Sequence, residues 1–184
     1  MKSFLFIVLT LYFASSFHAL NVVSRNLFTL MFLFVVGLTG RTILIRLRPN
    51  GRDSCERIID ALLNQFVKRK SLTKTFVRLM MWNLTIDFLL IVTGFLTLGI
   101  FPLVWTPLIL VINGPEPSSY KKYEYLWFES AALILSASLG SWGGLKINQF
   151  FGDALNITLT LSGLIILIRI TASFLETLEL RDYR

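Results

Sequence analysis

Residues 125–147, YLWFESAALILSASLGSWGGLKI, form the stretch that decides the fold. A helix of about 20 residues crosses the hydrocarbon core of a bilayer, so this stretch is long enough to span one. Its small residues recur every four positions, which places them on one helix face: Ala132, Ser136, Gly140 and Gly144. Helices gain little from apolar burial in lipid, and they associate where small residues let their backbones approach closely. We therefore predict that this segment is the central helix of a membrane bundle and that these four residues mediate helix packing.

Glu129 lies on the same helix face as the small residues. It stands three positions before Ala132 and seven before Ser136. A carboxylate in an apolar span is costly and normally turns toward a partner inside the protein. We expect Glu129 to point inward, and a position at the water interface near the helix start is the alternative.

Composition places the chain among polytopic membrane proteins. Of its 184 residues 54% are hydrophobic and 16% are charged, and the mean hydropathy is +0.67. Soluble domains carry about 25% charged residues. Cys55 is the only cysteine, so the sequence predicts no intrachain disulfide and no metal cluster. His18 is also alone, near the end of an apolar run, where we expect an interfacial side chain.

Positive charge is concentrated in one part of the chain. The net charge is +7, and ten of the 18 Lys and Arg residues lie between Arg41 and Arg78. Cytosolic segments of membrane proteins carry such an excess, so residues 46–78 are predicted to be cytosolic. With two helices before this segment, both termini are predicted to be cytosolic as well. Nucleic-acid binding is not supported, because its helical-repeat and aromatic-loop signatures are absent.

The N-terminal part, residues 1–48, contains two apolar runs. They cover residues 4–20 and 27–45, and Ser24-Arg25-Asn26 separates them. We predict two transmembrane helices here. A cleaved signal peptide is the alternative for residues 1–20, although Phe17 fits the small −3 position of a cleavage site poorly.

Residues 49–78 are predicted to form a basic amphipathic segment. Asp53 is followed by Glu56 in the spacing of a capping box, and apolar residues then recur with helical periodicity. Lys68, Arg69 and Lys70 close the helix. Such a helix binds an anionic membrane surface, and packing on the bundle's own loops is the alternative.

The apolar stretch 79–112 is too long for one crossing and opens the predicted bundle domain, residues 79–184. This stretch and its end contain six candidate helix-breaking or helix-ending residues: Gly94, Gly99, Pro102, Pro107, Asn113 and Gly114. We predict a full helix from about 80 to 100 and a shorter second limb. Lys121 and Lys122 favour a stretch that enters the membrane and returns, but a single crossing stays open.

Four charged residues in apolar spans form a predicted buried charge network: Asp87, Glu129, Arg169 and Glu176. Arg169 is close to the middle of the last span, about residues 155–178. An arginine at that depth needs a carboxylate partner unless it snorkels to the interface. Glu176 on the same helix and Glu129 and Asp87 on other helices are the candidate partners. We expect Arg169 to lie within salt-bridge reach of Glu129 or Glu176.

Three blocks between Leu79 and Leu178 resemble the stage II sporulation protein M family. The blocks are Asn83 through Gly94 and Gly99 to Asn113-Gly114, then Glu129-Ser130-Ala131 through Leu139-Gly140, and finally Thr171-Ala172-Ser173-Phe174-Leu175-Glu176. The His-Gly that this family carries before the central glutamate is Tyr125-Leu126 here, and the first 78 residues have no counterpart in the likeness.

The resemblance implies a non-enzymatic membrane scaffold or assembly subunit. The family's namesake anchors cell-wall hydrolases in a complex during engulfment. The sequence has no Walker loop, no Ser/His/Asp set and no nucleophilic cysteine motif, so we expect neither catalysis nor a cofactor. Expected partners are membrane lipids and other membrane proteins, or a second copy of the chain. A small transporter or permease subunit that uses the buried charges is the alternative.

Overall fold

Five α-helices make up the described structure, a computed structural model that covers residues 2–47, 72–115, 119, 123–146 and 151–182. The helices are α1 (Lys2–Leu47), α2 (Leu72–Leu96), α3 (Ile100–Asn113), α4 (Tyr125–Lys146) and α5 (Phe151–Asp182). No strand occurs within these ranges. The predicted all-α class is therefore confirmed for the described part of the chain.

Three of the described helices are long and apolar enough to cross a membrane. The qualifying segments are Leu11–Leu47, Leu72–Leu96 and Leu155–Glu179. Helix α4 is not among them, although it is the most buried helix, with an almost unbroken buried stretch from Leu135 to Gly144. A helix enclosed by other helices has little contact with lipid, so it can use serine and glycine where a lipid-facing helix uses leucine.

The N-terminal segment is one helix, and the prediction of two helices in residues 1–48 is wrong. Helix α1 runs through Ser24-Arg25-Asn26 without interruption. None of these residues is a glycine or proline, so the backbone is free to continue. The Asn26 side chain is satisfied inside the bundle, where its Nδ2 donates to Ser141 Oγ at 3.0 Å. The prediction that the N-terminus lies on the same side of the membrane as residues 46–78 assumed two crossings before that segment. With a single helix there, this assumption no longer holds.

The predicted interruption of the 79–112 stretch occurs at a tight turn over residues 97–99. Leu98 and Gly99 both have positive φ, at 53° and 84°. A Cβ at Gly99 would collide with the Ser141 carbonyl oxygen, so glycine is required there for both conformation and space. Helix α3 then ends as predicted at Asn113, and the Gly114 N–H donates to the Leu110 carbonyl at 2.9 Å.

The other predicted break residues lie within helices, so they do not interrupt the chain. Pro102 is in the first turn of α3, where a missing N–H costs no helical hydrogen bond, and Pro107 is inside α3. Gly94 is inside α2 and lies against α4.

Most of the predicted amphipathic segment lies outside the described residues, including Lys68, Arg69 and Lys70. Its last part, residues 72–78, forms the first two turns of α2. The domain boundary predicted at residue 79 is therefore wrong, because α2 begins seven residues earlier.

Helix α4 is the centre of the bundle and packs against all four other helices. Helix α1 runs in the opposite direction, since Asn26 meets Ser141 while Phe34 lies in a cluster that Leu126 joins. At that second end Arg41 Nη1 also donates to the Ile112 carbonyl at 2.8 Å. The end of α1, the end of α3 and the start of α4 thus meet at one end of the bundle.

Candidate functional site

A bidentate ion pair joins α2 to α5 in the interior of the bundle. Arg169 Nε lies 2.5 Å from Asp87 Oδ2, and Arg169 Nη2 lies 2.8 Å from Asp87 Oδ1. Arg169 is 3% exposed and Asp87 is 2% exposed. The expectation that Arg169 would pair with Glu129 or Glu176 is wrong as to the partner. The reason is the packing of the helices, which places Asp87 of α2 against the Arg169 guanidinium and leaves neither glutamate hydrogen-bonded to it.

Glu129 takes its hydrogen bond from an amide on α2. Asn83 Nδ2 donates to Glu129 Oε1 at 2.9 Å. Asn83 and Asp87 are four residues apart, so one face of α2 holds the carboxylate of α4 and the guanidinium of α5. Arg169 is also close enough to attract the Glu129 carboxylate without forming a hydrogen bond with it.

Glu176 stands apart from the hydrogen-bonded groups. Its Oε2 is buried and has no hydrogen-bond partner within the described residues, and the same holds for Ser173 Oγ, one turn earlier on α5. The charges of Arg169 and Glu129 both act on Glu176. The four predicted charges therefore belong to one interior region, but only Asp87 and Arg169 are bonded to each other.

The helix-packing residues predicted on α4 are all buried. Gly140 and Gly144 lie directly against the α2 backbone, and a Cβ on either would collide with a carbonyl oxygen, that of Leu90 or that of Gly94. On the other side of the seam, a Cβ on Gly94 would lie 2.5 Å from the Gly140 carbonyl oxygen. These three glycines set the close approach that brings Asn83 to Glu129.

A cavity of about 590 Å³ opens between α2, α3 and α4 beside these groups. Most of its lining is apolar. Its polar lining comes from six side chains: Asn83, Thr93, Thr106, Glu129, Ser130 and Arg169. The volume falls within the range of about 300–1,000 Å³ that small-molecule sites occupy.

Sequence reasoning did not predict the hydrogen bond from Asn83 to Glu129, and it did not predict the cavity. One sequence feature could have indicated that Asn83 contributes to the site, because it lies one helical turn before Asp87 on the same face of α2. No such feature indicated the cavity, because it depends on how α3 folds back beside α2 and α4. Within the described residues, no group of three or more His, Cys, Asp or Glu side chains is placed to hold a metal ion.

Comparison with known proteins finds no matching family model, no matching curated protein and no matching solved structure. The likeness to the stage II sporulation protein M family stays a prediction based on the three sequence blocks.

Proposed function

We propose that this chain is a non-enzymatic, multi-pass assembly subunit of a complex in the cell membrane. The observation that carries the proposal is the length of the apolar surface of α1. Exposed large apolar side chains extend from Leu11 to Leu47, about 54 Å along the helix. The hydrocarbon core is only about 30 Å thick.

Tilting α1 in the bilayer cannot bring its whole apolar surface, from Leu11 to Leu47, into the hydrocarbon core. Helix α1 would need a tilt of roughly 55°, whereas transmembrane helices tilt by about 0–40°. Asn26 already meets Ser141, five residues before the end of α4. Residues 11–20 therefore lie beyond the end of α4. One face of this segment packs on α5, where Tyr12 Oη donates to the Thr160 carbonyl at 3.2 Å and Ser16 and Ala19 are buried, while Phe17 is 73% exposed. We define residues 11–20 as the α1 extension and propose that a partner membrane protein covers it.

Two further features support an assembly role. The resemblance to the stage II sporulation protein M family implies one, and it covers the bundle but not the α1 extension. The Asp87–Arg169 pair and the glycine contacts of α2 and α4 also make the described interior a firmly held body on which a partner can dock.

The proposed topology places residues 46–78 and the C-terminus in the cytosol, with α2 and α3 entering the membrane and returning. The charge excess of residues 46–78 supports the first part. The proximity of the ends of α1 and α3 supports the second.

Purification of the tagged chain in a mild detergent, followed by mass spectrometry, tests the proposed function. We expect one membrane protein to copurify at a fixed ratio to the chain. A monodisperse chain without any partner, isolated from its native membrane under several mild detergents, would contradict the proposal.

A small transporter or permease subunit is the second candidate. The specific observation in its favour is the cavity, because Glu129 and Arg169 line it and charged side chains inside a membrane often mark a transport path. Solute flux into liposomes that contain only this chain, lost on Glu129→Gln, would favour this candidate over the assembly subunit.

A further inference from the structure

The cavity between α2, α3 and α4 has the chemical character of a cation site. One part of its wall is aromatic and is formed by Phe34, Phe101 and Trp105. The rings of Phe101 and Trp105 are stacked, with centroids 5.5 Å apart and an interplanar angle of 17°. Aromatic faces attract cations through the negative face of the ring, and the attraction is strongest where water is excluded.

The polar part of the cavity contains one carboxyl group, that of Glu129, in addition to the Asp87–Arg169 pair. Arg169 lines the cavity, but Asp87 binds its guanidinium in a bidentate manner, so the positive charge is balanced within the protein. Glu129 also lines the cavity, and its one described hydrogen bond is that from Asn83 to Oε1. An occupant with positive charge would be attracted to the carboxylate form of this group, and an anion would be repelled by it.

Thr106 is a further polar residue of the cavity lining. Its side chain is 0% exposed, it lines the cavity, and its Oγ1 has no hydrogen-bond partner within the described residues. Nine other described threonine hydroxyls donate to the carbonyl four residues earlier, whereas those of Thr75 and Thr158 also have no partner within the described residues.

We infer that this cavity binds an apolar organic cation, with the positive charge near Glu129 and the apolar groups against the aromatic wall. The inference does not depend on the assembly role, because a scaffold and a carrier can each hold such a ligand. The volume of about 590 Å³ accommodates a compact multi-ring cation or a folded alkylammonium chain.

Two ions of matched shape and opposite charge test the inference. We would measure binding of radiolabelled tetraphenylphosphonium and tetraphenylborate to the purified full chain in a neutral detergent, with empty micelles subtracted. The phosphonium should bind at least ten times more tightly than the borate, at about one ion per chain. Equal binding of the two ions, or no phosphonium binding, would overturn the inference.

A pair of charge variants locates the bound cation. Glu129→Gln should weaken phosphonium binding at least tenfold. Glu124→Gln removes the same charge from an exposed side chain outside the cavity and should leave binding within twofold. Unchanged binding in Glu129→Gln, or an equal loss in Glu124→Gln, would overturn the assignment of Glu129.

A pair of steric variants keeps the test decisive if Glu129→Gln fails to fold. Ile109→Trp fills the cavity and should abolish phosphonium binding. Leu108→Trp adds the same ring to the neighbouring position, which is exposed and outside the cavity lining, so binding should be retained. Equal binding in the two tryptophan variants would mean that the ion binds elsewhere, and the inference would fall.

Discussion

The Asp87–Arg169 pair fixes the arrangement of α2 and α5 because neither charge can reach water. Both residues are buried, and two N–H groups of Arg169 donate to the two carboxylate oxygens of Asp87. Replacing a buried ion pair by apolar residues is often neutral, whereas removing one partner costs about 3–5 kcal/mol because it strands a charge. Replacing Asp87 or Arg169 alone should therefore lower the free energy of unfolding strongly, whereas replacing both by apolar residues should lower it much less.

We predict that Arg169→Leu destabilises the bundle by about 3–5 kcal/mol and that adding Asp87→Leu recovers much of this loss. Unfolding in mixed micelles by a denaturing detergent measures both. Adding Glu129→Leu to Arg169→Leu is the control and should recover less, since Glu129 is bonded to Asn83. Equal recovery by the two acids would show that Asp87 has no special place in the pair.

Sequence predicts which charges are interior but not which of them meet. The spacing of Asn83, Asp87 and Gly94 places them on one face of α2, and the depth of Arg169 demands a carboxylate. Which of the three acids binds Arg169 depends on the crossing angles and axial offsets of α2, α4 and α5. Local residue patterns do not determine these quantities. The same limit explains why the cavity and the isolation of Thr106 could not be predicted.

Contact between α2 and α4 depends on glycine at positions where any side chain would strike backbone. The contacts advance along both helices together, from Asn83 with Glu129 to Gly94 with Gly140. The two helices therefore run parallel, and α3 returns the chain toward the end at which α2 and α4 start. The spacing of small residues on α4 could be recognised in the sequence. The contact of Gly94 with α4 could not, because an isolated glycine in an apolar stretch also fits a helix break.

We predict that Gly140→Ala destabilises the bundle by about 1–3 kcal/mol, the usual cost of overpacking, because the new Cβ would strike the Leu90 carbonyl oxygen. Gly152→Ala is the matched control in α5. No atom lies within 4 Å of a Cβ built there, so alanine should be neutral or stabilising by up to about 1 kcal/mol. The same unfolding assay compares them, and equal stability of the two variants would mean that the α2–α4 contact is looser than described.

Helix boundaries show where local sequence signals fail. Ser24-Arg25-Asn26 is polar enough to suggest a loop, yet the polar side chain of Asn26 finds a partner on α4, so α1 continues. Prolines suggest a break, yet Pro102 sits in a first turn where its ring is tolerated. The break lies at Leu98 and at the predicted Gly99, and at position 99 positive φ and the adjacent Ser141 carbonyl oxygen require glycine.

The distribution of charge along the chain predicts the orientation of the molecule in the membrane. Ten Lys and Arg residues between Arg41 and Arg78 predict that Cys55 faces the cytosol. A membrane-impermeant maleimide should therefore label Cys55 only after the membrane is permeabilised. Because Cys55 is the only cysteine, no background labelling of the chain complicates the result. Labelling in intact cells would contradict the proposed orientation.

The apolar length of α1 is the property of the whole molecule that bears most directly on function. Composition predicts a membrane protein, and the helices agree. The length of α1 could not be predicted, because the two N-terminal runs each match one crossing and only their fusion into one helix exceeds the bilayer. An uncovered α1 extension would present aromatic and aliphatic side chains to water, at about 25 cal/mol for each Å² of apolar surface.

Site-specific photocrosslinking in intact cells tests most directly whether another protein covers this extension. Benzoylphenylalanine would replace Phe17 in the α1 extension and, as the matched control, Phe88 in α2, which is 65% exposed beside Asp87. We predict a discrete protein adduct from position 17 and only lipid adducts from position 88. An adduct at twice the mass of the chain would identify a second copy as the cover. No protein adduct from position 17, or the same adducts from both positions, would contradict the account.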